Sequence, residues 1–194
     1  MSGVQQAAAV IIDAAWLVWL LIWVALSGRV KPVARHESLP SRAAHILPLI
    51  LAGALLVWRA PWQGSWLVSP LWTRLPWMVW AGAVLVLAGL GFAVAARLVL
   101  AGNWSGTVTL KHNHELIRSG PYRLVRHPIY TGLLTAMLGN SIAIDEVRGL
   151  VAFAILTLSF VRKLRTEEAF MAQAFGETYA DYSKRTARLI PGVW

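Results

Sequence analysis

Residues 77–100 read WMVWAGAVLVLAGLGFAVAARLVL (Trp77–Leu100), and Arg97 is the one charge in the run. A bilayer core about 30 Å thick takes about 20 helical residues. The run is long enough to cross it. It also lacks the polar face that a helix on a soluble protein keeps toward water. It reads as a transmembrane helix, and the rest of the chain follows from it.

Toward the N-terminus, Ala7 to Leu26 is a second run of that kind, and Ala43 to Trp58 is a shorter one interrupted by Pro48. Toward the C-terminus lie Pro128 to Ile144 and Val147 to Val161, joined only by Asp145-Glu146. Both are short for a span, so they read as a tight hairpin that borrows flanking residues or sits in thinned lipid. The expected fold class is all-α: an integral membrane bundle of five transmembrane helices in one domain, residues 1–194. Residues 1–100 supply three helices, 101–127 a polar loop, 128–161 the hairpin and 162–194 a tail. In the tail, Phe170, Ala174, Phe175, Tyr179 and Tyr182 recur at helical spacing among Glu167, Glu168, Glu177, Asp181 and Lys184. That predicts an amphipathic helix, broken near Gly176.

The start of the chain lacks a basic segment and a small-residue cleavage site, so the first run is expected to stay as a helix. The net charge of +9 does not point to nucleic acid, because the basic residues lie between apolar runs and not on one soluble face. With no cysteine, disulfides and thiolate metal sites are excluded. Basic residues set the orientation. Of the 18 Lys and Arg, only Arg59, Arg74 and Arg148 fall on one side of a five-helix bundle. The N-terminus is therefore expected outside, and the loop before the hairpin and the C-terminus in the cytosol. Trp58, Trp62, Trp66, Trp72, Trp77 and Trp80 read as an aromatic belt at the outer interface.

Chemistry concentrates in Leu116 to Gly132, LIRSGPYRLVRHPIYTG. Pro128 suits the first turn of a helix and puts His127 at its entrance. Helix entrances favour anions, and Arg126 and His127 add positive charge, so the segment suits a carboxylate or phosphate. Tyr130 and Thr131 follow within a turn, and Gly132 leaves room beside them. Gly120-Pro121 marks a turn. An ordinary juxtamembrane turn with interfacial Arg, His and Tyr is the plainer reading of the same residues. Glu167 and Glu168 return just past the hairpin, on the same predicted side. Lys163 stands one turn before Glu167 and can pair with it, with Arg162 and Arg165 close by. His112 and His114 at i, i+2 have no third ligand nearby except Glu115, so no metal is expected. Asn103-Trp104-Ser105 fits a glycosylation sequon, but on the cytosolic side it stays unused. Asp13 and Asn140 lie inside apolar runs, where polar residues are candidate functional groups. No continuous polar stripe crosses several helices, which argues against a transporter.

His114-Glu115-Leu116-Ile117, Gly120-Pro121-Tyr122, Arg126-His127-Pro128-Ile129-Tyr130-Thr131-Gly132, Glu167-Glu168, Phe175-Gly176-Glu177, Tyr179 and Tyr182 stand in a fixed order. From about Asn103 onward, the chain resembles the isoprenylcysteine carboxyl methyltransferase family and its wider membrane methyltransferase group, which includes phospholipid methyltransferases. The resemblance implies a helical membrane enzyme that uses S-adenosyl-L-methionine and releases S-adenosyl-L-homocysteine. It implies that His114, Leu116, Gly120, Tyr122, His127, Tyr130 and Glu168 line the cofactor site. Arg126 and Gly132, inside the same block, join that set, and His127 faces the cofactor's carboxylate. Glu167 is expected near the transfer site. Some family members carry an arginine one turn ahead of the glutamates where this chain has Lys163, so Lys163, Arg162 or Arg165 is expected as its basic partner. The implied acceptor is lipophilic, foremost an isoprenylcysteine-type carboxylate reached from the bilayer. A phospholipid amine and a small hydrophobic or thiol acceptor stand as alternatives, and a non-catalytic membrane scaffold as the non-enzyme one. Gly82, Ala83, Gly89 and Gly91 are small enough to pack helices within one chain or between two.

Overall fold

The computed structural model describes residues 3–28, 33–36, 38–72, 75–104, 109–111 and 115–193. Five helices carry the fold: α1 (Gly3–Ser27), α2 (Leu39–Val57), α3 (Pro76–Leu100), α4 (Pro128–Ile144) and α5 (Val147–Arg185). Three of them, α1, α2 and α3 with its short 3-10 extension, are long and apolar enough to cross a membrane. α4 is apolar but has only 17 residues. That is a length of about 25 Å, a little under the thickness of a bilayer core. The outward faces of α1, α2 and α3 expose large apolar side chains such as Leu21, Val24, Ile50 and Val84. Their extent exceeds what a soluble monomer leaves to water, as lipid-facing helices require.

α3 and α4 pack most closely. A Cβ on Gly89 would collide with the carbonyl oxygen of Gly132, and one on Gly132 with that of Gly89; Gly82 and Gly139 repeat the arrangement one step along. Glycines there let two backbones approach, which is how helices associate where no water drives them together. The core between them holds Ala83, Val86, Leu90 and Ala136, with Ile12 of α1 against it. A second cluster joins α2 to the hairpin through Ala52, Leu55, Met137, Ala152, Leu156 and Phe160. Arg97 is 1% exposed and ties the end of α1 to α3: one guanidinium nitrogen donates to the Leu26 carbonyl at 2.6 Å and another to Ala101 at 2.8 Å.

The α4–α5 turn is held from outside the hairpin. Asp145 takes a left-handed backbone at the end of α4, and its carboxylate accepts from the Trp72 amide at 3.2 Å. Glu146 accepts from Arg59 at 2.8 Å and from Arg148 at 2.6 Å. Arg148 also donates to the Leu55 and Leu56 carbonyls at the end of α2.

Two features depart from the sequence expectation. The body is helical, but β1 (Val33–His36) and β2 (Thr109–Lys111) pair as an antiparallel ribbon. Segments of four and three residues carry too little periodicity to announce a strand. The helix expected to end at Val161 also runs on unbroken to Phe175; at Gly176, where φ is +50° and the backbone is not helical, the chain kinks as expected and a second helical stretch reaches Arg185. The charged residues after Val161 change the helix's face without breaking its backbone.

Candidate active site

Four pieces of chain converge at the start of α4. The loop before it forms a short 3-10 turn, Gly120–Arg123. Gly120 has φ +58° and its missing side chain faces Val99 of α3, so the glycine serves the turn and its packing. The turn presents Tyr122, which is 7% exposed. Pro128 opens α4 with His127 as its cap. The tail then runs back over this entrance. The Arg126 amide donates to the Ala187 carbonyl at 2.8 Å, the His127 amide to Arg188 at 3.1 Å, and the Thr131 hydroxyl to Leu189 at 2.8 Å. Tyr182 donates to the Tyr122 carbonyl at 2.7 Å.

Glu167 and Glu168 on α5 meet this assembly from the other side, and adjacency in sequence gives them different neighbours. Glu168 accepts from Arg126 at 2.8 Å and from Arg188 at 2.9 Å, and contacts His127 Nε2 at 3.3 Å. Glu167 accepts from the Tyr130 hydroxyl at 2.6 Å and lies 3.6 Å from His127 Nδ1. His127 thus sits between two carboxylates. Burial alone would lower its pKa, but its hydrogen bonds to Glu167 and Glu168 outweigh that and raise it. The imidazolium form is favoured. Burial would raise the Glu168 carboxyl, yet the hydrogen bonds from His127 and Arg126 hold it down at about 2. Glu167 is likewise pushed up by burial and pulled further down by His127, the Lys163 charge and Tyr130. Burial drives the Tyr182 phenol up to about 12, and Tyr122 and Tyr179 also lie well above the ordinary value, so all three are neutral.

A cavity of about 1120 Å³ adjoins this network. Sites for drug-sized ligands hold about 300–1,000 Å³, so this one has room for more than one such molecule. Leu116, Tyr122, Arg126, His127, Tyr130, Lys163, Glu167, Tyr179 and Tyr182 stand on its wall at one end. Lys163 holds its ammonium 5.5 Å from the centre of the Tyr130 ring, which itself stacks on His127. Of the remaining expected site residues, Arg162 is exposed. Glu168 lies behind the wall in its ion pairs, Gly120 and Gly132 pack against α3, and His114, with His112, lies outside the described residues. Among the described residues no three His, Cys, Asp or Glu gather to hold a metal ion.

The sequence reading passed over two groups. Arg188, 20 residues beyond Glu168, shares its carboxylate. Basic residues are too frequent in this tail for one to stand out. Along α1, Trp16 meets Trp19 edge to face and Trp19 stacks on Trp23, and all three line the cavity. Their i, i+3, i+7 spacing marks one helix face and could have revealed it.

A family profile described as phospholipid methyltransferase matches residues 77–178, more than half of the chain. The chain belongs to the phospholipid methyltransferase family. The match contains the loop, α4 and both glutamates. Among curated relatives, a cobalt-zinc-cadmium resistance protein CzcN of Cupriavidus metallidurans is 35% identical over 75% of this chain and 60% of its own length. Protein-S-isoprenylcysteine O-methyltransferase A of Arabidopsis thaliana is 28% identical over 60% of this chain and 61% of its own. The Rattus norvegicus protein-S-isoprenylcysteine O-methyltransferase is 28% identical over 68% of this chain and 49% of its own. The chain therefore spans about half to three fifths of the length of these relatives. The solved structure of a eukaryotic intramembrane Ras methyltransferase, isoprenylcysteine carboxyl methyltransferase, shares the fold, with a TM-score of 0.51 at 20% identity over 82% of this chain and 55% of that one. The family membership and this fold, with the apolar helices described above, make the chain an integral membrane protein.

Proposed function

We propose that the chain is a membrane methyltransferase that uses S-adenosyl-L-methionine to methylate a lipophilic acceptor, foremost an isoprenylcysteine-type carboxylate. The carrying observation is the single cavity that joins His127, Tyr130, Lys163 and Glu167 at one end to a long apolar wall beyond Leu133 and Phe160. A cofactor with a cationic sulfonium and an amino-acid end suits this donor set. Glu167 offers an ionised carboxylate to the cations, and Lys163 an ammonium to the carboxylate. Tyr122, Tyr179 and Leu116 offer flat and apolar surface for the base. Arg126 takes a supporting role in this reading, because its guanidinium is spent on Glu168 and on the Ser183 and Thr186 carbonyls.

When bound, the cofactor supplies an electrophilic methyl group. The residues supply position. Holding acceptor and donor in line contributes on the order of 7–11 kcal/mol at best. The state of Glu167 bears on the acceptor. A carboxylate acceptor is ionised already and needs no base. An amine must lose a proton, and Glu167, held below the ordinary carboxylate range by His127, Lys163 and Tyr130, is a poor base for that. This favours carboxyl O-methylation over N-methylation of a phospholipid amine, the second reading, which the family description keeps in view.

In this reading all five helices span the bilayer, with the N-terminus outside and the network and C-terminus in the cytosol. The distribution of Lys and Arg supports that orientation. The segment after Gly176 lies at the cytosolic interface and closes the cofactor end through Tyr179 and Tyr182. The test is calorimetric titration of S-adenosylmethionine into detergent-purified protein, with His127→Ala beside it. Binding by the wild type that the variant loses is expected. No binding by folded wild type, with or without lipid, overturns the reading.

A further inference from the structure

The cavity that begins at His127 and Glu167 has polar side chains at its other end. Asp13 of α1 and Asn140 of α4 both line it there. Asn140 lies 13 residues along α4 from His127, about 20 Å at 1.5 Å per residue. Asp13 lies ten residues into α1, about 15 Å from its start in a 25-residue helix. Its helix neighbour Ile12 shares a core cluster with Ala83 of α3, and Gly82 of α3 meets Gly139 of α4, so α3 carries Asp13 and Asn140 at about the same level of the bundle. Among the described residues neither side chain has a hydrogen-bond partner. Between the two ends the wall is apolar, with Trp16, Leu20, Leu49, Leu133 and Met137.

An ionisable residue inside a membrane span is costly and calls for a partner. An entirely apolar ligand would leave Asp13 and Asn140 both unsatisfied. We propose that Asp13 and Asn140 form a distal polar subsite that takes a hydroxyl group at the far end of a long-chain lipid, whose reacting end lies near Lys163 and Glu167. The identity of the near end rests on the methyltransferase reading; the subsite does not. A hydroxyl matches the pair because it donates to the carboxylate and accepts from the amide at once. An ammonium could only donate and would leave the Asn140 N–H groups unmatched. A phosphate or carboxylate at this end would be repelled by Asp13.

The probes are ω-hydroxypalmitic acid and palmitic acid, which differ in the distal hydroxyl alone. Their affinities for the full-length protein in detergent are measured by calorimetry, with and without S-adenosylhomocysteine. The hydroxylated chain is expected to bind about tenfold or more tighter, the scale of a hydrogen bond to a charged group. In Asn140→Leu and Asp13→Leu the ratio between the two probes should fall toward one. Asn140→Ala, a smaller change, serves if either leucine variant fails to fold. Equal affinities in the wild type, a preference that survives both substitutions, or no binding of either chain overturns the proposal. Failure of S-adenosylhomocysteine to bind while the hydroxyl preference persists would instead overturn the methyltransferase reading and leave the subsite standing.

Discussion

Glu168→Gln is the most telling single change in the buried network. The substitution keeps shape and removes one negative charge. Glu168 holds Arg126 and Arg188 by ion pairs at 2.8 and 2.9 Å, and its own side chain is only 12% exposed. Its carboxyl is held at about 2 against an ordinary 4.5. That difference corresponds to about 3 kcal/mol at 1.36 kcal/mol per pH unit. An exposed ion pair would contribute less than about 1 kcal/mol, so the two cases separate cleanly. For a chain of this length each kcal/mol shifts the melting temperature by about 2–4 °C. The variant should melt about 6–12 °C below the wild type at pH 7 in detergent.

The pH dependence carries the sharper test. A carboxyl depressed in the folded state stabilises above its unfolded value and loses that effect as pH falls through its folded value. The Glu168 contribution is therefore full above about 4.5 and fades toward about 2. At pH 3 it should have dropped to about 1 kcal/mol. The gap between wild type and Glu168→Gln should shrink by more than half from pH 7 to pH 3. His127 has the opposite sign. Its raised pKa stabilises below the ordinary 6.5 and is lost as pH climbs through the folded value. A shift below about 2 °C at pH 7, or a gap unchanged at pH 3, would refute the reasoning that this node is charge-held.

Tyr130→Phe removes the 2.6 Å hydrogen bond to Glu167. A hydrogen bond to a charged group contributes about 1.5–3 kcal/mol, so methyl transfer should fall about 10- to 100-fold with folding intact, read by single-turnover transfer and circular dichroism. Lys163→Ala and Arg162→Ala form a paired test. The first should weaken S-adenosylmethionine binding by about tenfold or more and the second should not, because Lys163 is on the cavity wall and Arg162 is exposed. Gly132→Val should prevent assembly, seen as loss of the monodisperse peak on size exclusion, since a side chain there meets the Gly89 carbonyl and Ala93 backbone. Overpacking of this kind costs about 1–3 kcal/mol or more where only backbone stands in the way.

What the sequence revealed and what it withheld divide along a physical line. Long apolar runs speak for themselves, since length and composition alone qualify each as a span, and α3 could be read to within one residue and α1 to within four. The chemical cluster was legible for a different reason. His127 and Tyr130 share one turn of helix, and Glu167 and Glu168 are adjacent, so short-range order kept them visible. What was hidden depends on the third dimension. The two glutamates look equivalent in the sequence. Only the orientation of α5 against α4 gives Glu167 to Tyr130 and the cavity, and Glu168 to Arg126 and Arg188. Gly132 shows the same limit from the other side. As a small residue one turn into α4 it suggests space for a ligand, but the space is filled by α3. Asp13 and Asn140 are 127 positions apart and read separately as isolated polar residues in apolar runs. Their presence on one wall is a product of the packing of α1 on α3 and of α3 on α4, and no local pattern encodes it. The first two helices, which lie ahead of the family match, therefore contribute much of the cavity's apolar wall.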